Sequence, residues 1–83
     1  MADKLKAIVT VGLKSGVLDA QGKAVAGALG ELGFPAVREA RVGKVIELDL
    51  EGVDRRQAED QVKAMCEKLL ANTVIETYRI EIA

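Results

Sequence analysis

The chain has 83 residues, of which 49% are hydrophobic and 30% charged, with 12 basic against 13 acidic side chains and a formal net charge of −1. One domain is the expectation at this length, with only about 60 to 65% of the unfolded surface buried on folding, and the balanced charge argues against a strong electrostatic field of either sign. With no His and one Cys, a Cys/His nucleophile pair and an intrachain disulfide are both excluded.

The N-terminal M-A-D-K-L-K lacks the apolar run of a signal peptide, and no stretch approaches the roughly eighteen apolar residues of a membrane span, so the cytoplasm is the expected location. From Lys4 to Leu13 the pattern alternates: Leu5, Ala7, Val9, Val11 and Leu13 share one face, while Lys4, Lys6, Ile8 and Thr10 take the other. This period of two marks the first strand. Lys14-Ser15-Gly16 breaks it, and Asp19 stands where a helix N-cap would. Val25, Ala28, Leu29 and Leu32 come next at helical spacing, with Gly33 as the C′ glycine and Pro35 beyond, so the first helix is predicted over Ala20 to Leu32. Gly22, Gly27 and Gly30 lie inside it, each costing up to about 1 kcal/mol against Ala, so the helix depends on close packing rather than on propensity.

The middle of the chain, V-R-E-A-R-V-G-K-V-I-E-L-D-L from Val37 to Leu50, also alternates, with Ala40, Val42, Ile46, Leu48 and Leu50 on one face and Glu39, Arg41, Glu47 and Asp49 on the other. A two-residue hairpin at Gly43-Lys44 would put charge on the apolar face, and a three-residue one would set Glu39 opposite Glu47. An unbroken strand bent at Gly43 avoids both. It would run roughly 45 Å, longer than the roughly 30 Å diameter of a compact domain of this size, so its overhang is expected to pair with a second copy. After the Glu51-Gly52-Val53 turn, Asp54 and Gln57 have the spacing of a capping box. Ala58, Val62, Met65, Cys66 and Leu69 then form the core stripe of a second helix reaching Leu70 or Ala71, with Asn72 as its left-handed stop. A last strand is predicted over Val74 to Ile82, with Val74, Tyr78, Ile80 and Ile82 on one face. The class is α+β, two helices packed on one antiparallel sheet in the order β-α-β-α-β; if the long segment doubles back, the order becomes βαββαβ, the ferredoxin-like arrangement.

The candidate chemical motifs fail on residue type. Gly16 with Gly22-Lys23 is one residue too long for a phosphate loop, and Ala24 stands where Ser or Thr must reach magnesium. Gly27-Ala28-Leu29-Gly30 lies within a helical pattern, so it is not a dinucleotide fingerprint. The carboxylates Asp19, Glu47, Asp49 and Asp54 are scattered over several elements, and no metal site is expected. Cys66 sits on the core stripe as a small hydrophobe. Arg38, Arg41 and Lys44 suggest nucleic acid, but Phe34 and Tyr78 are the only aromatics and the interspersed acids cancel the charge. A strand face or subunit interface suits these cations better, and an Arg41 guanidinium fixed on a strand fits bidentate pairing with a carboxylate. No catalytic constellation is visible, and no cofactor is expected to bind.

V-L-D-A-Q-G-K-A-V at 17–25, L-G-F at 32–34, V-R-E-A-R-V-G-K-V-I-E-L at 37–48 and C-E-K-L-L-A-N-T-V-I-E at 66–76 together resemble the PurS family, the small subunits of phosphoribosylformylglycinamidine synthase. Ala20 and Thr73 depart from it, standing where the family usually carries proline. The resemblance implies a single PurS-like domain, a sheet extended across an oligomer, and a non-catalytic role in de novo purine biosynthesis. It implies as partners a second copy or more (dimer or tetramer), a glutaminase that releases ammonia, and a large synthetase that uses ATP and Mg; neither nucleic acid nor membrane is among them. This chain would bridge the two subunits and assist ammonia transfer. The motif positions Asp19, Gln21, Gly22 and Lys23 at the head of the first helix, with Arg41, Gly43 and Lys44 at the bend, are the expected contacts with the larger subunits or the second copy. The competing reading is a ligand-binding regulatory module of the ACT type, whose site would be the glycine-containing loop from Leu13 to Asp19.

Overall fold

A computed structural model describes residues 4–83, so the reading of the first residues as carrying no signal peptide lies partly outside the described residues. The elements are β1 (Lys4–Leu13), α1 (Ala20–Glu31), β2 (Lys44–Glu51), α2 (Arg55–Met65), a π-helical turn (Cys66–Leu70) and β3 (Glu76–Ile82). The three strands form one antiparallel sheet in the order β2-β1-β3.

The parity of β1 decides its two faces. Val9 lies between Ile46 and Ile80, and Ala7 between Leu48 and Ile82, whereas on the other face Ile8 sits between Glu47 and Glu81 and Thr10 between Val45 and Arg79. Ala7, Val9 and Val11 are buried under α2, whose Val62 packs with them together with Cys66 and Ala71, and Ala58 of the same helix is buried as well. Each fully buried valine contributes about 1.5–3 kcal/mol relative to exposure, so this short apolar run on β1 is the mechanical centre of the fold. The polar face is laced by a diagonal ion pair, Lys6 Nζ to Glu47 Oε1 at 2.9 Å.

The predicted capping box is formed: Gln57 N–H donates to Asp54 Oδ1 at 2.8 Å, and Asp54 N–H donates to Gln57 Oε1 at 3.0 Å. Past Met65 the helix departs from the predicted stripe. The Ala71 N–H donates to the Cys66 carbonyl at 3.1 Å, a five-residue spacing. One extra residue in a turn rotates the remainder of the helix by about 100°. Leu70 therefore packs toward the core, while Leu69, expected there, is 82% exposed. Nor is Asn72 left-handed, since only glycines have positive φ among the described residues. Its carbonyl instead accepts from the Ile75 and Glu76 N–H groups at 3.0 and 2.7 Å, and its side chain from Val74 N–H at 3.2 Å. This turn delays β3 to Glu76 and leaves Val74 80% exposed.

The long middle segment neither doubles back nor runs as one strand within the sheet. Pairing with β1 begins at Lys44, and residues 37–43 lie outside the sheet. Alternation made them look like a strand, but a strand needs a neighbour, and the single chain offers none there. α1 stands off as well. Gly22 is its sole buried residue, and α2 alone packs over β1 and β3. The apolar side of β2, with Ile46, Leu48 and Leu50, is only half-buried. The molecule is correspondingly long, with extents of 54 × 26 × 14 Å and a radius of gyration of 16.6 Å, where a compact chain of this length has about 12 Å.

Candidate functional site

The feature that sets this chain apart from an ordinary small sandwich is an arm, made of α1 and the returning segment 32–43, joined to the sheet at one place. The joint is built on Asp19. As the N-cap of α1 its Oδ1 accepts from the Gly22 N–H at 2.8 Å, and its Oδ2 accepts from the Val42 N–H, also at 2.8 Å. One carboxylate thus ties the head of the helix to the strand that leads back into the sheet. Both N–H groups, Val42's first, hold the Asp19 carboxyl below the usual carboxylate range, and the nearby Arg41 guanidinium adds to the effect against the cost of burial. Asp19 is 8% exposed.

Backbone contact tightens the joint. A Cβ on Gly22 would lie 2.1 Å from the Ala40 carbonyl oxygen, and one on Gly43 would lie 2.5 Å from the Val11 carbonyl oxygen. Neither gap admits a side chain, which gives the close packing that a glycine in the first turn of α1 requires. Arg41 completes the joint by donating from Nη2 to the Leu13 and Lys14 carbonyls at 3.1 and 3.3 Å, the last acceptors of β1 and its exit.

The seven residues nominated from the sequence therefore divide. Asp19, Gly22, Arg41 and Gly43 meet at the joint and are engaged within the chain. Gln21, Lys23 and Lys44 are exposed; Gln21 and Lys44 line one shallow cleft, and Lys23 lines another of about 480 Å³ beside Arg38 and Ala26. The Leu13–Asp19 loop, the binding place in the ACT-type reading, has its Leu13 and Lys14 carbonyls taken by Arg41 and its Asp19 carboxylate taken by two N–H groups. These groups are therefore engaged within the chain rather than turned toward a small ligand.

Sequence reasoning missed the apolar surface of the arm. Leu32 is 72% and Phe34 56% exposed, with Val25 and Val37 exposed beside them in sequence. Val25 and Leu32 stand at helical spacing in the sequence, and nothing in such a pattern tells which body their apolar side packs against. Chemistry is scarce. Among the described residues no group of three or more His, Cys, Asp or Glu side chains is gathered to hold a metal. Burial, followed by the Glu67 charge, pushes the Cys66 thiol up, away from the reactive thiolate.

The family model described as PurS, phosphoribosylformylglycinamidine (FGAM) synthase, matches residues 6–83. The chain belongs to the PurS family. Among PurS proteins, the phosphoribosylformylglycinamidine synthase subunit PurS of Bacillus subtilis is 52% identical over 77 residues, spanning 93% of this chain and 90% of the relative. A B. subtilis PurS crystal structure superposes with a TM-score of 0.87 at 51% identity, covering 95% of this chain and 98% of that one. A chain in the structure of PurLQS from Thermotoga maritima superposes with a TM-score of 0.88 at 32% identity, covering 98% and 99% respectively. The sheet with its two helices is thus the PurS fold.

Proposed function

We propose that this chain is the small, non-catalytic subunit of a phosphoribosylformylglycinamidine synthase in de novo purine biosynthesis, where it bridges a glutaminase and an ATP-dependent synthetase and assists ammonia transfer between them. What carries the reading is the match, along nearly the whole of both chains, to a chain of the PurLQS assembly. The structure agrees with a docking role, because the exposed apolar arm suits contact. In this reading ATP and Mg serve the synthetase, and this chain binds neither. The setting is the cytoplasm; no helix among the described residues is long and apolar enough to cross a membrane. A sealed bridge has a physical use, since free ammonia is protonated in bulk water at neutral pH and so lost as a nucleophile.

The same reading includes a second copy. In the ferredoxin-like arrangement a further strand lies beside the outer edge of β2 and a second helix covers the adjoining apolar half of the sheet. The segment that would supply them, α1 with residues 37–43, meets its own sheet at the joint without pairing into it. Supplied by a second copy, the 37–43 segment, whose residues alternate as those of a strand do, fits the open β2 edge by strand addition, and the apolar side of α1 covers Ile46, Leu48 and Leu50. Charge favours the pairing, because Arg38 would approach an edge bearing Glu47, Asp49 and Glu51. Reciprocity makes the contact self-complementary, as a two-fold pair requires.

The test is reconstitution with purified glutaminase and synthetase. Omitting this chain is expected to abolish the glutamine-dependent rate and leave the ammonium-dependent rate in place. An unchanged glutamine-dependent rate without it overturns the proposal.

A further inference from the structure

The joint contains more than a helix cap requires. Ser, Thr or Asn would cap α1 about as well as Asp, since a cap needs one acceptor oxygen. Asp19 instead uses two, one inside the helix and one on Val42, some twenty residues on in sequence and on another element. Asn cannot do both: its single carbonyl oxygen serves one N–H, and its amide nitrogen turns a donor toward the other. Arg41, on the residue before Val42, reaches the opposite way to the last carbonyls of β1. Three backbone segments, the exit of β1, the head of α1 and the approach to β2, are thereby pinned to one another by two side chains. Beyond the joint, α1 has no buried residue that would fix its direction.

We propose that Asp19 and Arg41 are positioning residues that lock the angle at which α1 leaves the sheet, and that this angle, rather than any contact with a partner, is what the two side chains contribute to assembly. The lock itself is a property of the single chain; its consequence for assembly rests on the docking role proposed above. Gly22 and Gly43 belong to it by letting the segments touch, with the Ala40 and Val11 carbonyls filling the space a side chain would need. The hydrophobic core of Ala7, Val9, Val11, Val62 and Cys66 borders the joint at Val11, whose carbonyl lies against Gly43, and is formed by packing α2 on the sheet.

The experiment measures the angle directly. Spin labels are placed at Gly27→Cys, where the α1 surface is open, and at Glu81→Cys on the polar face of β3; Cys66 is buried and stays unlabelled. Labelled full-length chain is diluted into excess unlabelled chain, so each distance is measured within one polypeptide. The parent is expected to give one narrow distance distribution. Asp19→Asn and Arg41→Gln are each expected to widen it at least roughly twofold, while amide protection in β1 and α2 stays at the parent level and Glu39→Gln leaves the distribution narrow. A broad distribution in the parent, or a narrow unchanged one in both variants, overturns the lock. So does widening accompanied by lost protection in β1 and α2, because the two residues would then simply hold up the whole fold. In the reconstituted complex, Asp19→Asn is expected to lower the glutamine-dependent rate and spare the ammonium-dependent one. If both rates persist while the distances widen, the lock stands and its contribution to assembly is overturned.

Discussion

Two side chains report on their surroundings through protons. Asp19 is stabilised as a carboxylate by the N–H groups of Val42 and Gly22 and by Arg41, so its pKa in the folded chain lies below the ordinary value of 3.8. These bonds therefore contribute stability above the unfolded value, and that contribution is lost as pH falls through the lower, folded one. An NMR titration of the Asp19 carboxyl carbon is expected to give a midpoint below 3.8, rising in Arg41→Gln; a midpoint at or above 3.8 refutes the joint as described. Tyr78 works the other way. Its hydroxyl donates to Glu67 Oε2 at 2.6 Å, and that bond, with burial second, pushes its pKa up to about 12 from 10.0. The bond adds stability below the unfolded value, which disappears as pH rises through about 12. With a single tyrosine in the chain, phenolate absorbance reads this group alone. Glu67→Gln is expected to move the midpoint down toward 10, and an unmoved midpoint removes Glu67 as the cause.

Among the elements, those whose evidence is local were legible in the sequence. β1 came from strict alternation over Lys4 to Leu13, and both N-caps from an acid ahead of an apolar stripe. Three things were not legible, each because it depends on something remote. The outer half of the Val37–Leu50 pattern has the parity of a strand, but parity describes faces and cannot supply a neighbour. The Asp19 to Val42 bond joins positions with no pattern in common. The π turn leaves no mark in periodicity before it has shifted the stripe, so Leu69 looked interior and Leu70 was left off the stripe. This last reversal gives a clean prediction. Leu69→Lys is expected to change stability by less than about 0.5 kcal/mol, as for other exposed positions, while Leu70→Lys costs roughly 2 kcal/mol or more because it buries a charge at the edge of the core. Urea denaturation of the two variants checks it, and equal costs would restore the uninterrupted helix.

For the molecule as a whole, the relevant quantity is apolar surface without a cover. A chain this small that spends a helix outside its own core gives up burial it can ill spare, and in the proposed pairing the deficit would be made good by another body covering Val25, Leu32 and Phe34. Phe34→Asp is accordingly expected to leave the unfolding of the isolated chain nearly unchanged, since the ring is already 56% exposed. The same substitution is expected to weaken self-association at least roughly tenfold, the equivalent of one lost aromatic burial. Sedimentation velocity over a micromolar concentration series measures this, and a parent that sediments as a stable single chain throughout rules out the pairing.

The stiffness of the connection between arm and sheet also bears on how growth stops. A hook on a loose swivel can catch any passing chain, and a succession of such catches makes open-ended strings. In the proposed pairing, holding the hook at one inclination would return it to the chain whose own hook it receives, so the count would end at a closed set. In that pairing Gly22, with a carbonyl oxygen where a methyl group would go, would serve as a small structural safeguard against runaway polymerisation.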